Sequence, residues 1–177
     1  IPSLNVNNNS MEHKTYTLND GRQVHLRSLQ PSDKEQLVKL YSSMSASALR
    51  WTKAPTGEEI KQIIQYPDYY ISMVTEHDDR VIGHGEIKKD SEKRNGELNV
   101  HVHQDYHGVG LGTVMMIALM NNATGQDLHR INLKVAAENR KAVRLFRRFG
   151  FQQQSTMRET FGGEEHDAFL MSKTLKL

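Results

Sequence analysis

The residues best suited to chemistry sit around one short run, His107-Gly108-Val109-Gly110-Leu111-Gly112, set between an apolar strand ending near Val102 and an apolar helix beginning near Thr113. A strand that stops and a helix that starts leave main-chain N–H groups unpaired and directed outward, where an anion accepts from them. Gly108, Gly110 and Gly112 carry no Cβ to obstruct a phosphate oxygen, and each is free to take φ > 0, so successive N–H groups converge into a concave nest. The segment therefore reads as a pyrophosphate-binding turn. It is neither common nucleotide fingerprint: a dinucleotide turn needs G-x-G-x-x-G with an acidic residue about twenty positions on, and a triphosphate loop needs G-K-[ST].

Two carboxylates stand ready to handle a proton. Glu97 opens the strand that feeds the glycine turn, ten positions before His107, and Glu86 lies on the preceding strand. A carboxylate beside a reacting group accepts a proton directly or through one water. The plainer reading of Glu97, the charged edge of a polar turn, stays open. Among the nine histidines, His101, His103 and His107 are spaced so that two share a strand face, and three imidazoles would suit zinc. No cysteine or acidic ligand completes that set, so packing or solvated histidines are expected and no metal.

Further along, Glu138 to Phe151 reads Glu-Asn-Arg-Lys-Ala-Val-Arg-Leu-Phe-Arg-Arg-Phe-Gly-Phe, a basic helix closing on glycine and an aromatic. With the glycine turn it resembles the GNAT superfamily of acyl-coenzyme A-dependent N-acetyltransferases. That family's signature is Arg/Gln-x-x-Gly-x-Gly/Ala at a strand-to-helix turn, then Asn-x-x-Ala-x-x-Leu-Tyr-x-x-x-Gly-Phe. Gly110 and Gly112 match the first part, and Asn139, Ala142, Leu145, Gly150 and Phe151 the second. His107 stands where Arg or Gln is usual, which weakens a phosphate contact slightly, and Phe146 where tyrosine is usual, which removes a common general acid.

The resemblance implies acetyl-CoA as acetyl donor, with its pyrophosphate on His107, Gly108, Val109, Gly110, Leu111, Gly112 and Thr113. A bulge would splay the strand before the turn from its neighbour, and the pantetheine arm would pair with main chain at Val100, Val102 and His103 as an added strand does. Asn139, Ala142 and Phe146 would hold the arm from the other side, although Asn139 reads equally well as a helix cap. The basic run from Arg140 to Arg148 is a solvated helix face or touches the 3′-phosphate. Glu97 has a spacing similar to the glutamate of the protein lysine acetyltransferases called Pat, which makes it the first candidate base, partly desolvated, with Glu86 second. A primary amine with a pKa near ~10.4 is unprotonated in only about one molecule in a thousand at neutral pH, so such a base is useful. The oxyanion would sit on a strand N–H near Val102. Either the thiolate leaves unaided, water protonates it, or Tyr106 or His107 does so.

The acceptor is less determined. Ser45 to Glu59 is loosely similar to the corresponding stretch of Pat-like domains, which favours a protein lysine; a polyamine, amino acid or antibiotic amine is the alternative. Glu164 and Glu165 on the final hairpin are expected on the acceptor side, where they suit a cation. A catalytically silent acyl-CoA sensor, and more remotely a nucleotide-binding regulator, are the competing classes.

The elements that must position these residues follow from pattern. Gln23–Leu29 alternates as a strand; Ser32 with Glu35, and Thr56 with Glu59, are capping boxes for two helices, the first running to about Met44 and the second burying Ile60, Ile63 and Ile64. Tyr69–Glu76 and Arg80–Lys88 flank a hairpin turn, and Glu97–His103 is the strand entering the glycine turn. Thr113–Asn122, Ile131–Ala136 and Asn139–Phe149 read helix, strand, helix, and Gln152–Thr160 with Asp167–Thr174 a last hairpin. The expected fold is α+β, layered: a single GNAT-type domain over 11–177 with a mixed, mostly antiparallel sheet of six to seven strands and about four helices.

Composition agrees. A chain of 177 residues, 37% hydrophobic, buries one good core, and a net charge of +2 without a basic stripe does not call for nucleic acid. The absence of cysteine excludes disulfides and a cysteine nucleophile. No apolar run approaches the ~18 residues of a membrane span, and no signal peptide is recognised, so a cytoplasmic enzyme is expected. Residues 1–10, rich in asparagine, read as an appended remnant or disordered tail. The final strands could pair two copies into a homodimer.

Overall fold

The structure, a computed structural model, describes residues 14–176; the expected tail at 1–10 lies outside them. The chain runs β1 (Lys14–Thr17), β2 (Gln23–Ser28), α1 (Lys34–Ser43), α2 (Ala46–Leu49), α3 (Gly57–Gln65), β3 (Tyr70–His77), β4 (Arg80–Lys89), β5 (Asn95–Val102), α4 (Leu111–Thr124), β6 (Arg130–Ala136), α5 (Arg140–Arg148), β7 (Gln152–Phe161) and β8 (Glu164–Thr174). These strands form one eight-stranded sheet in the order β1-β2-β3-β4-β5-β6-β8-β7, one or two strands more than the sequence led us to expect. The additional strand is β1, four mostly exposed residues with no apolar alternation to announce it.

Two apolar clusters cover the two faces. On one, Met115, Met116 and Leu119 of α4 pack on Met73, Ile87, Leu98, Ile131 and Leu133. On the other, Leu37, Leu40 and Ile60 of α1 and α3 pack on Val74 and Val81. Helix α4 lies close to the sheet because β4 presents glycine beneath it: a Cβ on Gly85 would sit 2.8 Å from Leu119 Cδ1.

The two expected capping boxes fare differently. Thr56 and Glu59 exchange hydrogen bonds at the start of α3, Glu59 N–H to Thr56 Oγ1 at 3.1 Å and Thr56 N–H to Glu59 Oε2 at 3.3 Å. The Ser32–Glu35 box does not form. Asp33 is buried instead, accepting from Arg27 through both oxygens at 2.7 Å and from the Gln30 N–H at 2.7 Å, so residues 31–33 make a tight turn and α1 starts one step later. A bidentate charge-assisted pair outweighs a neutral hydroxyl cap.

All neighbouring strands are antiparallel except β5 and β6. That parallel junction is short: Asn95 pairs with Arg130, Gly96 with Ile131 and Glu97 with Asn132, and there the pairing stops while both strands continue. The sheet is parted from Leu98 onward. No bulge produces the gap, contrary to expectation, for β4 and β5 keep one continuous register from Gly83↔Val102 to Lys89↔Gly96. Divergence of two whole strands opens it.

Candidate active site

A cavity of about 600 Å³ occupies the parting of β5 and β6 and passes from one sheet face to the other. Toward α4 and α5 it is lined by Val100, Val102, His107, Gly108, Gly110, Leu111, Gly112, Asn139, Ala142 and Phe146. Toward α1–α3 it is lined by Met44, Trp51, Lys53, Glu97, Asn99, His101, Lys134, Glu159 and Phe161.

Strand β5 offers its free main chain to this gap. His103 N–H donates to Ile82 C=O at 2.9 Å, so with the register above, His103, His101, Asn99 and Glu97 point their backbone groups at β4. Alternation then turns those of Val100 and Val102 away from β4, into the parting. His103, expected to pair with the pantetheine, is thus committed elsewhere: its ring caps the Asp105 N–H at 3.1 Å, and it is absent from the cavity wall.

At the mouth lies the glycine turn. Gly108 and Gly110 have φ of 73° and 89°, the left-handed region that a nest requires. Gly110 is also the N-cap of α4, so the N–H groups of Leu111, Gly112 and Thr113 open the helix without intrahelical acceptors. Gly112 does not have positive φ; it is small because a Cβ there would meet Leu145 Cδ2 of α5 at 3.3 Å. Val109 and Thr113 do not line the cavity, and Val109 C=O accepts from Asn19 N–H at 3.0 Å, which props the turn on the β1–β2 connection. His107 turns back on its own strand, Nε2 to Val102 C=O at 2.7 Å, rather than outward as an arginine would reach.

Asn139 caps α5, its Oδ1 accepting from Ala142 N–H at 3.4 Å, and lines the cavity as well, so both of its expected positions hold. Phe146 packs edge-on against Phe151 with its ring in the wall. Lys141 is the member of the basic run that reaches the cavity.

Glu97 stands at the point where pairing ends, opposite Asn132 on β6 and Lys88 on β4, and is exposed rather than partly desolvated. Glu86 differs. It lies outside the cavity wall, opposite Ser72 and Asn99, with Oε2 buried and without a hydrogen-bond partner; burial first, then the charges of Glu59 and Glu97, raises its pKa to about 7 against a weaker pull from Lys88.

The acceptor-side expectations are corrected in part. Glu164 and Glu165 do not line the cavity; Glu165 sits 3.7 Å from Arg158 on the outer hairpin. The hairpin tip instead locks onto the α2–α3 connection, Gly162 N–H donating to Thr52 C=O at 3.2 Å, and Phe161 and Trp51 form an aromatic wall. Trp51 lies inside the segment singled out from sequence. Phe161, Lys134 and Glu159 were not anticipated, and no local pattern marks them, because only the folding of β6 and β7 brings them to the cleft. Among the described residues no group of three or more His, Cys, Asp or Glu is arranged to hold a metal ion, and no helix is long and apolar enough to cross a membrane.

Solved acetyltransferases share this layered sheet and its parting. The GNAT domain of S. lividans PAT superposes with a TM-score of 0.77 at 13% identity, over 92% of this chain and 96% of that one. The yncA protein of Salmonella typhimurium, solved with its cofactor acetyl-CoA, superposes with a TM-score of 0.71 at 20% identity, over 86% and 94%. These likenesses establish an acetyltransferase fold. At the level of sequence, a model of the Acetyltransferase (GNAT) family matches residues 36–151, and the chain belongs to that family. Phosphinothricin N-acetyltransferase of Streptomyces coelicolor is 35% identical over 63 residues, a match that spans 36% of this chain and 37% of that protein.

Proposed function

We propose that this protein transfers the acetyl group of acetyl-CoA to a small primary amine, with Glu97 as the proton acceptor. The observation that carries the reading is the parting of β5 and β6, with Glu97 where pairing ends and the glycine turn at its mouth. Three features of the chain fit the donor: open main chain at Val100 and Val102, the positive-φ glycines 108 and 110, and free N–H groups at the start of α4. When bound, acetyl-CoA supplies a thioester, an acyl group already activated toward amines.

The chain's own residues do the rest. Val100 or Val102 N–H, directed into the parting, donates to the developing oxyanion. Glu97, being exposed, works through a water: it accepts the proton that the amine sheds as its nitrogen bonds to the acyl carbon. The carbon–sulfur bond breaks as the thiolate departs. Phe146 has no proton to give, and His107 is engaged with Val102 C=O. A thiol with a pKa near ~8.5 leaves tolerably as the anion and takes its proton from water.

The contact between the β7–β8 tip and the α2–α3 connection supports a small acceptor over a lysine on a folded protein. It walls the α1–α3 side of the cleft with Trp51 and Phe161, leaving no open groove for a peptide to cross. The partial likeness to phosphinothricin N-acetyltransferase points the same way.

Calorimetry with acetyl-CoA on wild type and Glu97→Gln, combined with thiol release against phosphinothricin, spermidine, n-butylamine and lysine-containing proteins, tests the proposal. Equal binding by both, with turnover on a small amine that falls steeply in the variant, is expected. Binding without turnover on any acceptor would establish the acyl-CoA sensor instead, and absence of binding would overturn the donor assignment.

A further inference from the structure

A buried polar chain ends in the acceptor side of the cleft, and the mechanism above gives it no task. Ser72 Oγ meets His84 Nε2 at 3.0 Å, His84 Nδ1 meets Tyr41 Oη at 2.7 Å, and Tyr41 Oη meets His101 Nδ1 at 3.1 Å. The chain thus ties α1, β3, β4 and β5 together beneath the acceptor side. Its three ring members are 9% exposed or less: His84 1%, His101 6% and Tyr41 9%. At its far end His101 Nε2 is buried without a hydrogen-bond partner, on a residue that lines the cavity beside Val100. The Lys53 main chain stands near that ring without closing a hydrogen bond to Nε2. A buried polar atom facing a cavity with nothing to bond is a place for a ligand atom.

The distances assign the protons. Burial holds both imidazoles neutral, His84 with its pKa lowered to about 3 and His101 to about 4, so each carries one proton. The tyrosine hydroxyl has one proton to donate and lone pairs to accept with. Hydroxyl donors make shorter hydrogen bonds than ring N–H donors. Tyr41 therefore donates across the 2.7 Å contact to His84 Nδ1 and accepts across the 3.1 Å contact from His101 Nδ1–H. His84 then donates from Nε2 to Ser72 Oγ. The proton of His101 is on Nδ1, and its Nε2 presents a bare lone pair to the cleft.

We propose that His101 Nε2 binds the incoming amine by accepting one of its N–H groups, with Tyr41 and His84 as positioning residues that fix the tautomer. The inference rests on the amine-acetylation reading. It also sharpens the substrate class. A neutral primary amine has two N–H groups and one lone pair: one N–H goes to His101, the other to the water held by Glu97, and the lone pair is left to attack. No proton moves to His101; it leaves through Glu97. A secondary amine has one N–H and leaves one of these acceptors unsatisfied, so the site selects primary amines.

The test has two arms. Nitrogen NMR of histidine-labelled protein reads the tautomer directly and needs no turnover: His101 is expected with Nδ1 protonated and Nε2 bare, and the Nε2 signal to move when n-butylamine is added to CoA-bound protein. A protonated Nε2, or no movement with amine, overturns the proposal whatever the activity. In the kinetic arm, n-butylamine is compared with N-methylbutylamine in wild type, Tyr41→Phe and His101→Phe. Tyr41→Phe should raise the amine KM about tenfold with acetyl-CoA affinity unchanged, and His101→Phe should erase most of the preference for the primary amine. An unchanged preference in a folded His101→Phe variant overturns the proposal. Loss of all thiol release in wild type with the tautomer as assigned would instead fault the acetyl-transfer reading.

Discussion

The two sides of the cleft are made of different material. Toward α4 and α5 the wall is mainly backbone: Val100 and Val102 main chain, the positive-φ turn, and the first N–H groups of a helix. Toward α1–α3 it is side chains from separate segments, among them Met44, Trp51, Glu97, His101, Lys134 and Phe161. A backbone wall recognises what is common to a phosphate or an amide and tolerates side-chain change, except where a Cβ obstructs it. A side-chain wall recognises one substrate and is rebuilt by single substitutions. The difference teaches that donor and acceptor recognition in this fold are separable, and substitutions on the two sides should separate them.

The largest effect expected is on rate. Glu97→Gln should lower turnover by about 10²–10⁴-fold, the usual worth of a general base, with acetyl-CoA affinity unchanged by calorimetry. A loss of affinity in step with turnover would merge the two sides. Next comes Gly110→Val, at a φ of 89° with Asn19 Nδ2 3.2 Å from the position of its Cβ. It should weaken acetyl-CoA by roughly tenfold or more and cost about 1–2 kcal/mol of stability, because left-handed backbone is unfavourable with a side chain. Chemical denaturation checks the second figure. Gly162→Val acts on the opposite wall: its Cβ would stand 3.0 Å from Leu49 C=O at a φ of 57°, so the hairpin tip must lift. Amine KM should then rise about threefold with acetyl-CoA binding intact, as expected when only ground-state contacts loosen.

The smallest effect concerns Glu86 and separates it from Glu97. Burial raises the Glu86 pKa from 4.5 to about 7, so the folded protein holds a proton that the unfolded chain has released. Its contribution is present below pH 4.5 and is lost as pH rises through 7. Glu86→Gln should therefore be more stable than wild type at pH 8, by about 1–2 kcal/mol or a few degrees in Tm, and indistinguishable from it at pH 4. Turnover should survive. If Glu86→Gln abolished thiol release while Glu97→Gln did not, the roles of the two carboxylates would be reversed.

How much of this was legible in the sequence differs between the sides as well. The glycine turn, Asn139, Ala142 and Phe146 fall in two contiguous motifs, and the structure sets them along one wall. Even there the physical reason differed at points: Gly112 is small for helix packing rather than for φ, His107 bonds its own strand, and the sheet parts without a bulge. The acceptor side was barely legible. Trp51 and Phe161 come from distant segments that meet only because β7 folds back beside β8, and a hydrophobic pattern cannot report that meeting. Glu164 and Glu165 looked suited to a cation by charge alone, yet strand alternation and Arg158 hold them outside. The short β1 and α2 carry too few apolar residues for a period to show. Asp33, within a segment that already offered a serine cap, is claimed by Arg27 from β2, a tertiary choice invisible in local sequence.

The central claim is that the donor completes the parted sheet as a strand would, and amide hydrogen exchange tests it residue by residue. Adding acetyl-CoA should slow exchange at Val100 and Val102, whose N–H groups face the parting, and leave Asn99 and His101 unchanged because β4 already holds them. Protection of all four alike, or of none, would contradict the account.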